Sequence, residues 1–226
     1  MSIEAFMRRA WDIVETPTDE VWVARRGLAA ALRALNHRVA AVDAPAPMLE
    51  QAAQRIAEAA EALAPFSVPS FRESFENGVY AESPEQFADR AWISGRSHPF
   101  GPAADLVANG EGAEATVCFD HGYVGAPGWV HGGAVAAVID QLMGYVLVLQ
   151  GSATVTAELN VRYVSPTPAL VPLSVKAWSV GDEGRFVKLE ASCRHGEVLT
   201  ATASARFVRL DAEGFVRTVR KLREGT

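Results

Sequence analysis

One carboxylate stands in the middle of a segment that is otherwise uncharged. Residues 134–149 have a helix-like composition and are apolar except at Asp140 and Gln141, and His131-Gly132-Gly133 directly precede them. A carboxylate in a helix that is buried on all sides loses its hydration, so it needs a partner or a chemical task. The glycines allow close approach of a ligand, and their N–H groups lie at the positive end of the helix dipole. A carboxylate and backbone donors on one helix indicate an active site.

The spacing of these two groups limits what a single chain can do. Gly132 and Asp140 are eight residues apart, which is about 12 Å along a helix with an angular offset of about 80°. A carbonyl under attack lies about 3 Å from its oxyanion donor and about 3–3.5 Å from the attacking atom. An Asp side chain is too short to span the remaining gap. The spacing therefore predicts that Gly132 of one subunit acts together with Asp140 of another, across a twofold axis.

The segments around this helix predict an α+β fold. An alternating strand precedes the helix near 115–119, and four alternating runs follow it. The breaks at 181–184 and 195–197 are tight hairpin signals, so the last strands pair antiparallel. We expect a five-stranded antiparallel sheet against one helix, and a second subunit on the side of the helix that the sheet leaves open. One face of the strand after the helix is expected to carry Val155, Ala157, Leu159, Val161 and Tyr163.

The first 112 residues extend beyond this pattern. Helical spacing at 18–42, with a start signal at residues 17–19, and again at 47–63 predicts a helical hairpin with one apolar stripe on each helix. We expect the hairpin to pack on the main domain or a partner subunit, with a lid over a binding site as the alternative. The proline-rich connection is expected to be irregular, with one short helix near 84–90. The chain thus divides into a hairpin (1–64), a connection (65–112), a main domain (113–210) and a tail (211–226).

Composition narrows the classes of partner and location. The net charge is −6 with no basic stripe to offset it, which argues against nucleic acid as a partner. Cys118 and Cys193 lie far apart in strand-like runs, which predicts reduced core thiols in a cytoplasmic protein rather than a metal site. The N-terminus lacks the apolar run of a secretory signal. The segment 129–149 has a central Asp, which costs roughly 2.5–3.5 kcal/mol on insertion scales, so we expect a buried helix and no membrane span.

The motif and the strand that follows it resemble those of hotdog-fold thioesterases. The closest branch is the PaaI-like and THEM group of the 4-hydroxybenzoyl-CoA thioesterase superfamily. The matching residues are the run from Gly128 to Gly133, Asp140 nine positions after His131, and the threonine-bearing strand 154–163. The resemblance covers 113–210 and implies a hotdog fold, a homodimer or dimer of dimers, and hydrolysis of acyl-CoA thioesters with no metal or cofactor. The first 112 residues have no counterpart in it.

The resemblance also implies roles for single residues. The Gly132 N–H would polarise the thioester carbonyl, and Asp140 would attack that carbonyl or activate a water to do so. His131 would shape the turn and hydrogen-bond near the carbonyl, with a role as turn former alone as the alternative. Thr156 would orient the water or the carboxylate, unless it is an ordinary strand residue.

A second set of residues is expected to contact the substrate. Gly133 belongs to the His131-Gly132-Gly133 turn, called the donor turn from here on. Close helix packing is an alternative reason for a glycine at this position. Cationic side chains could reach the phosphates of CoA, although solvated strand ends are the simpler explanation for them. The candidate substrate-binding residues are Gly133, Asn160, Arg162 and Arg185.

Two other functions remain open at this point. One is a non-catalytic acyl or acyl-CoA binding protein with the hotdog fold. Asp140 argues against it, because a binding site gains nothing from a carboxylate aimed at a carbonyl. The other is a hotdog dehydratase, which needs a His paired with an acid for proton transfer at carbon; the arrangement of His131 and Asp140 does not resemble that site.

Overall fold

The computed structural model describes residues 9–10, 14–66, 84–110 and 112–210. The predicted tail and part of the predicted connection lie outside these residues. The helices are α1 (Glu20–Val39), α2 (Ala46–Leu63), α3 (Glu85–Asp89) and α4 (Gly132–Leu149), with short 3₁₀ turns at Ala64–Phe66 and His121–Tyr123. The strands are β1 (Asp105–Asn109), β2 (Gly112–Cys118), β3 (Val124–Ala126), β4 (Trp129–Val130), β5 (Thr154–Tyr163), β6 (Pro172–Glu183), β7 (Phe186–His195) and β8 (Val198–Arg209).

Six strands form one antiparallel sheet in the order β1-β2-β6-β7-β8-β5, and α4 packs on one of its faces. The predicted α+β architecture is confirmed, but the expected number of strands is one too low. The missed strand is β1, which falls in the segment expected to be irregular. Only Leu106 of β1 is buried, so its sequence shows no alternation of apolar and polar residues.

The sheet covers one side of α4 and leaves another side open. Ile139, Leu142 and Met143 are fully buried against the sheet. By length and composition α4 is the one helix of the described residues that could cross a membrane, and its packing in the core is what the sequence predicted. The opposite side of the helix is half-buried or exposed in the single chain. It carries Gly133, Ala137, Asp140, Gln141 and Gly144.

A β-bulge interrupts the pairing of β5 with β8. Thr156 pairs with Phe207 and Glu158 with Arg206, so Ala157 has no partner opposite it. A bulge of one residue changes which side chains face the helix on either side of it. The expectation that Val155 and Ala157 share one strand face with Leu159 is therefore wrong, because Thr156 faces the helix before the bulge and Leu159 faces it after the bulge.

The first helix of the extension buries Trp22 and Ala29 and is anchored by hydrogen bonds to Asp89. Asp89 at the end of α3 is buried, and it accepts hydrogen bonds from the Trp22 indole N–H (2.6 Å), from Arg26 (2.6 and 2.9 Å) and from the Ser97 hydroxyl. Burial alone would raise the pKa of the Asp89 carboxyl. The donors and the charge of Arg26 outweigh burial, so this pKa lies below its ordinary value.

The apolar stripes of the hairpin remain exposed in the single chain. On α1, Val21 and Val39 are 65% and 60% exposed, and no residue of α2 is buried. Of the two expected sites of packing, the main domain does not bury these stripes: α1 is held mainly by hydrogen bonds, and every residue of α2 is exposed. Packing on a partner subunit stays a prediction.

We expect Asp89→Asn to destabilise the protein by about 3–5 kcal/mol, since it leaves the Arg26 guanidinium without a counterion in a largely buried place. Urea unfolding monitored by tryptophan fluorescence measures the change. The Asp89 pKa is lowered in the folded state. The contribution is therefore present above the unfolded pKa of about 3.9 and is lost as the pH falls through the folded value.

The control is Glu183→Gln, which breaks the exposed ion pair with Lys188. This variant should unfold at nearly the wild-type urea concentration. Equal midpoints for the Asp89 and Glu183 variants would contradict the anchoring role of Asp89.

Candidate active site

The His131-Gly132-Gly133 turn forms the start of α4. His131 is the N-cap residue with extended backbone angles, and its Nδ1 accepts a hydrogen bond from the Gly133 N–H at 3.0 Å. A neutral imidazole that accepts at Nδ1 carries its proton on Nε2. Among the hydrogen bonds of the described residues, none uses the Gly132 N–H. That donor is therefore available at the positive end of the helix.

Thr156 and Asp140, both predicted site residues, meet in the structure. The Thr156 hydroxyl donates to Asp140 Oδ1 at 2.9 Å. The bulge at Ala157 produces this contact, because it turns Thr156 toward the helix. The bond holds one carboxylate oxygen and leaves Oδ2 for another partner, on the side of α4 that the sheet leaves open.

Gly132 and Asp140 stay apart within the chain. They occupy the first and ninth positions of one continuous helix, about 12 Å apart along its axis. Next to Asp140, β5 is an edge strand that pairs only with β8 in the described sheet. Edge strands present unpaired N–H and C=O groups that can pair with another chain.

Tyr163 joins the site although its pattern in the sequence gave it only a place on the strand face. Its hydroxyl donates to the Gly132 carbonyl at 2.7 Å. A Cβ on residue 132 would lie 2.9 Å from both Cζ and Oη of this ring, so any larger residue there would force the tyrosine ring to move. The 31-residue separation of the two positions leaves no periodic signal that would predict the contact.

The predicted substrate-binding residues are not brought together in one chain. Gly133 lies in the turn, while Asn160 and Arg162 sit opposite Ser204 and Thr202 on the outer sheet face, away from α4. There they line an open hollow of about 410 Å³. Arg185 lies in the turn between β6 and β7, with its guanidinium 5.9 Å from the Phe186 ring centre. Contact of these three outer residues with a substrate at Asp140 stays a prediction.

The extension reaches the loop that precedes the motif. On α1, Arg33 Nη1 donates to the carbonyls of His98 (2.6 Å) and Arg96 (3.0 Å), and burial lowers the Arg33 pKa from its ordinary value. The backbone N–H of His121 donates to His37 Nδ1 at 3.2 Å, and the two imidazole rings stack. Helix α1 therefore supports both the backbone at residues 96–98 and residues 121–123.

That support continues into the donor turn through Tyr123. The Tyr123 hydroxyl donates to the Phe100 carbonyl, and its own carbonyl accepts from the His131 N–H at 2.8 Å. Burial, with the nearby charge of Asp120, raises the pKa of Tyr123 to about 12. His98 Nδ1 accepts a hydrogen bond from the Phe100 N–H. Sequence reasoning missed this support, because its contacts join backbone groups far apart in the chain.

The thiols differ from the prediction in one respect. Cys193 is buried and burial raises its pKa, whereas Cys118 is exposed, so the expectation of two core thiols is wrong for Cys118. Both are free. Within the described ranges no group of three or more His, Cys, Asp or Glu side chains is arranged to hold a metal ion.

Comparisons with known proteins bear on this domain. The family model described as "Thioesterase superfamily" matches residues 127–190. The acyl-coenzyme A thioesterase THEM4 of Mus musculus is 40% identical over 91 residues, which is 39% of each chain. THEM5 of the same organism is 25% identical over 170 residues, covering 63% of this chain and 68% of the relative. The chain thus spans about 39% of the length of the THEM4 proteins that it matches.

Solved structures show the same fold. A crystal structure of a thioesterase superfamily protein superposes with a TM-score of 0.71 at 25% identity, covering 85% of this chain and 93% of the other. The domain is therefore a hotdog domain, and its predicted resemblance to the thioesterase superfamily is confirmed. Within that superfamily, the curated relatives above are acyl-CoA thioesterases of the THEM group. Because 85% of this chain far exceeds residues 113–210, the extension does have a counterpart, contrary to expectation.

The close packing of Gly125 against His131 can be tested by substitution. A Cβ on Gly125 would lie 2.9 Å from the His131 Cα, so we expect Gly125→Ala to destabilise by about 1–3 kcal/mol. Gly27→Ala is the matched control, since no atom lies within 4 Å of a Cβ there and alanine in an exposed helix stabilises by roughly 0.5–1 kcal/mol. Thermal unfolding compares the two. A stabilising Gly125→Ala would contradict the packing described.

Proposed function

We propose that this protein hydrolyses acyl-CoA thioesters to a free acid and CoA. The observation that carries the proposal is the Thr156–Asp140 hydrogen bond of 2.9 Å, which orients a carboxylate on the open side of a helix whose first N–H has no partner among the described residues. The naming of the THEM4 and THEM5 relatives as acyl-coenzyme A thioesterases supports the same reaction. We place this activity in the cytoplasm, in line with the free thiols.

The chemistry needs an oxyanion donor and a nucleophile. The Gly132 N–H, at the positive end of α4, stabilises the negative charge that develops on the thioester oxygen. Asp140 attacks the carbonyl carbon, or removes a proton from a water that attacks it. In the first route the C–S bond breaks to give an acyl-aspartyl anhydride, which water then hydrolyses to the free acid and the regenerated Asp140 carboxylate. In the second route the water oxygen bonds to the carbonyl carbon and the C–S bond breaks to give the free acid directly. In both routes the proton that the water loses ends on the leaving sulfur, so CoA departs as its thiol. The imidazole of His131, with its proton on Nε2, offers a further donor beside the same carbonyl.

We propose that two subunits share each site. One chain holds Gly132 and Asp140 about 12 Å apart, so the two cannot act on one carbonyl. Two copies of α4, antiparallel across a twofold axis, would place Gly132 of one subunit opposite Asp140 of its partner. The open side of α4 and the free edge of β5 favour a homodimer, on its own or as a dimer of dimers.

Release of free thiol from short, long and aromatic acyl-CoAs tests the activity. We expect Asp140→Asn to lower kcat about 10²- to 10⁴-fold, because the amide is neither a nucleophile nor a base. Binding without thiol release for every substrate would favour the non-catalytic acyl-CoA binding protein. Full activity of Asp140→Asn would contradict the role of this carboxylate.

Mixed dimers test the shared site. Gly132→Pro removes the donor N–H at the first helical position, which tolerates proline. Gly132→Ala is its matched control, since both variants place a Cβ against Tyr163 but only proline lacks the N–H. We expect proline to cost about 2.7–4 kcal/mol more than alanine in transition-state stabilisation.

A heterodimer of Gly132→Pro with Asp140→Asn, purified with two different affinity tags, has one intact composite site. Its thiol release should reappear although each parent homodimer is inactive. If each site lies within one chain, both sites of the heterodimer are defective and no activity returns.

Thr156 is expected to act through Asp140. Thr156→Val keeps the shape but removes the donor, so we expect kcat to fall roughly 10- to 100-fold, the range for a hydrogen bond to a charged group. Thr156→Ser restores a hydroxyl and should recover most of the rate. Loss of rate in the serine variant equal to that in the valine variant would show that the hydroxyl is not what matters.

A further inference from the structure

Tyr163 lies over the first turn of α4, where it contacts Gly132 and is linked through the backbone to His131. Its hydroxyl donates to the Gly132 carbonyl at 2.7 Å, although it comes from the far end of β5. This bond acts on the peptide unit between Gly132 and Gly133. It constrains the orientation of that peptide plane and therefore of the whole donor turn.

The ring of Tyr163 and the missing side chain of Gly132 are complementary in shape. A Cβ on residue 132 would lie 2.9 Å from Cζ, 2.9 Å from Oη and 3.2 Å from Cε1 of the ring. Real Cβ atoms do not approach ring atoms this closely, so the ring occupies the space that a larger residue would need. The turn is therefore held from one side by a hydrogen bond and by a rigid aromatic surface.

The contact continues to His131 through one peptide group. Tyr163 donates to the Gly132 carbonyl, and the N–H of the same peptide, which belongs to Gly133, donates to His131 Nδ1 at 3.0 Å. Consecutive hydrogen bonds through one peptide polarise and strengthen each other. The chain of bonds thus favours the imidazole form with its proton on Nε2.

Packing within the single chain does not account for Tyr163. The side chain is 51% exposed, whereas the other residues that β5 turns toward α4 beyond the bulge, Leu159 and Val161, are part of the core boundary. A tyrosine used only to fill the core would bury its ring. This one lies at the start of the helix, beside the Gly132 residue whose N–H is the proposed oxyanion donor.

We propose that Tyr163 is a positioning residue for thioester hydrolysis: it sets the Gly132–Gly133 peptide, and through it the direction of the oxyanion donor and the tautomer of His131. The inference rests on the proposed function. It adds a residue that touches neither the thioester carbonyl nor the attacking atom, and that acts through the backbone of the donor turn.

Steady-state kinetics of Tyr163→Phe in the full chain test the hydrogen bond. The variant keeps the ring and loses the donor, so we expect kcat to fall about 2- to 10-fold, the range for one neutral hydrogen bond. KM should stay unchanged, since the donor turn acts in the transition state. A raised KM with unchanged kcat, or no change in either, would overturn the inference.

A double-mutant cycle tests the steric part. Gly132→Ala should lower kcat strongly in the wild-type background and much less in Tyr163→Ala, where the clash is absent. In the Tyr163→Phe background the clash remains and the loss should return. Equal losses in all three backgrounds would overturn the proposed coupling.

A spectroscopic readout separates positioning from general loss of structure. Imidazole ¹⁵N shifts of His131, assigned with His131→Gln, should report the Nε2-protonated form in the wild type and a larger share of the other tautomer in Tyr163→Phe. An identical tautomer ratio would overturn the link to His131. If the wild type releases no thiol from any acyl-CoA, the proposed function fails. The cycle measured by unfolding midpoints still decides whether Tyr163 and Gly132 are coupled.

Discussion

The packing of α4 on one face of the sheet determines where every candidate group lies. An apolar helix needs cover on all sides, and a single sheet supplies it on one. Asp140 lies on the side that stays open, and the sheet edge next to it supplies Thr156 to hold its carboxylate. The helix start lies a fixed distance away because the helix is continuous. A rigid helix thus separates the donor from the carboxylate and keeps the two at a fixed distance.

The extension is attached by polar contacts of α1, while most of the apolar stripe of that helix stays exposed. Asp89 receives donors from Trp22, Arg26 and Ser97, and Arg33 donates to backbone carbonyls that no strand or helix satisfies. Such bonds are directional, so they fix the orientation of α1 more tightly than an apolar stripe would. Close to those carbonyls, the Phe100 carbonyl accepts a hydrogen bond from the Tyr123 hydroxyl. The Tyr123 carbonyl in turn accepts one from the His131 N–H. The extension therefore contributes order to the donor turn without entering it.

Much of this arrangement was predictable from local patterns, and the rest depends on contacts between distant residues. Asp19 marked the start of α1, and its side chain does accept from the Trp22 N–H. The hairpin turns at Gly184 and Gly196 were also evident, and both adopt left-handed backbone angles. The strand β1 was missed because a short edge strand buries too little to show a period. The bulge at Ala157 was missed because periodicity assumes regular pairing, and the contact of Tyr163 with Gly132 because the pair is distant in sequence.

The bulge makes chain length, rather than residue type, the critical property of β5. Removing Ala157 would restore regular pairing with β8. It would also move every side chain on one side of the deletion to the opposite face of the sheet. Thr156 would then face outward while Leu159 stayed in the core, or the reverse. A single-codon deletion at this place would thus separate the carboxylate from its hydroxyl although no site residue is replaced. Sequence alignments of this region need a gap or an insertion at the bulge to keep equivalent side chains together.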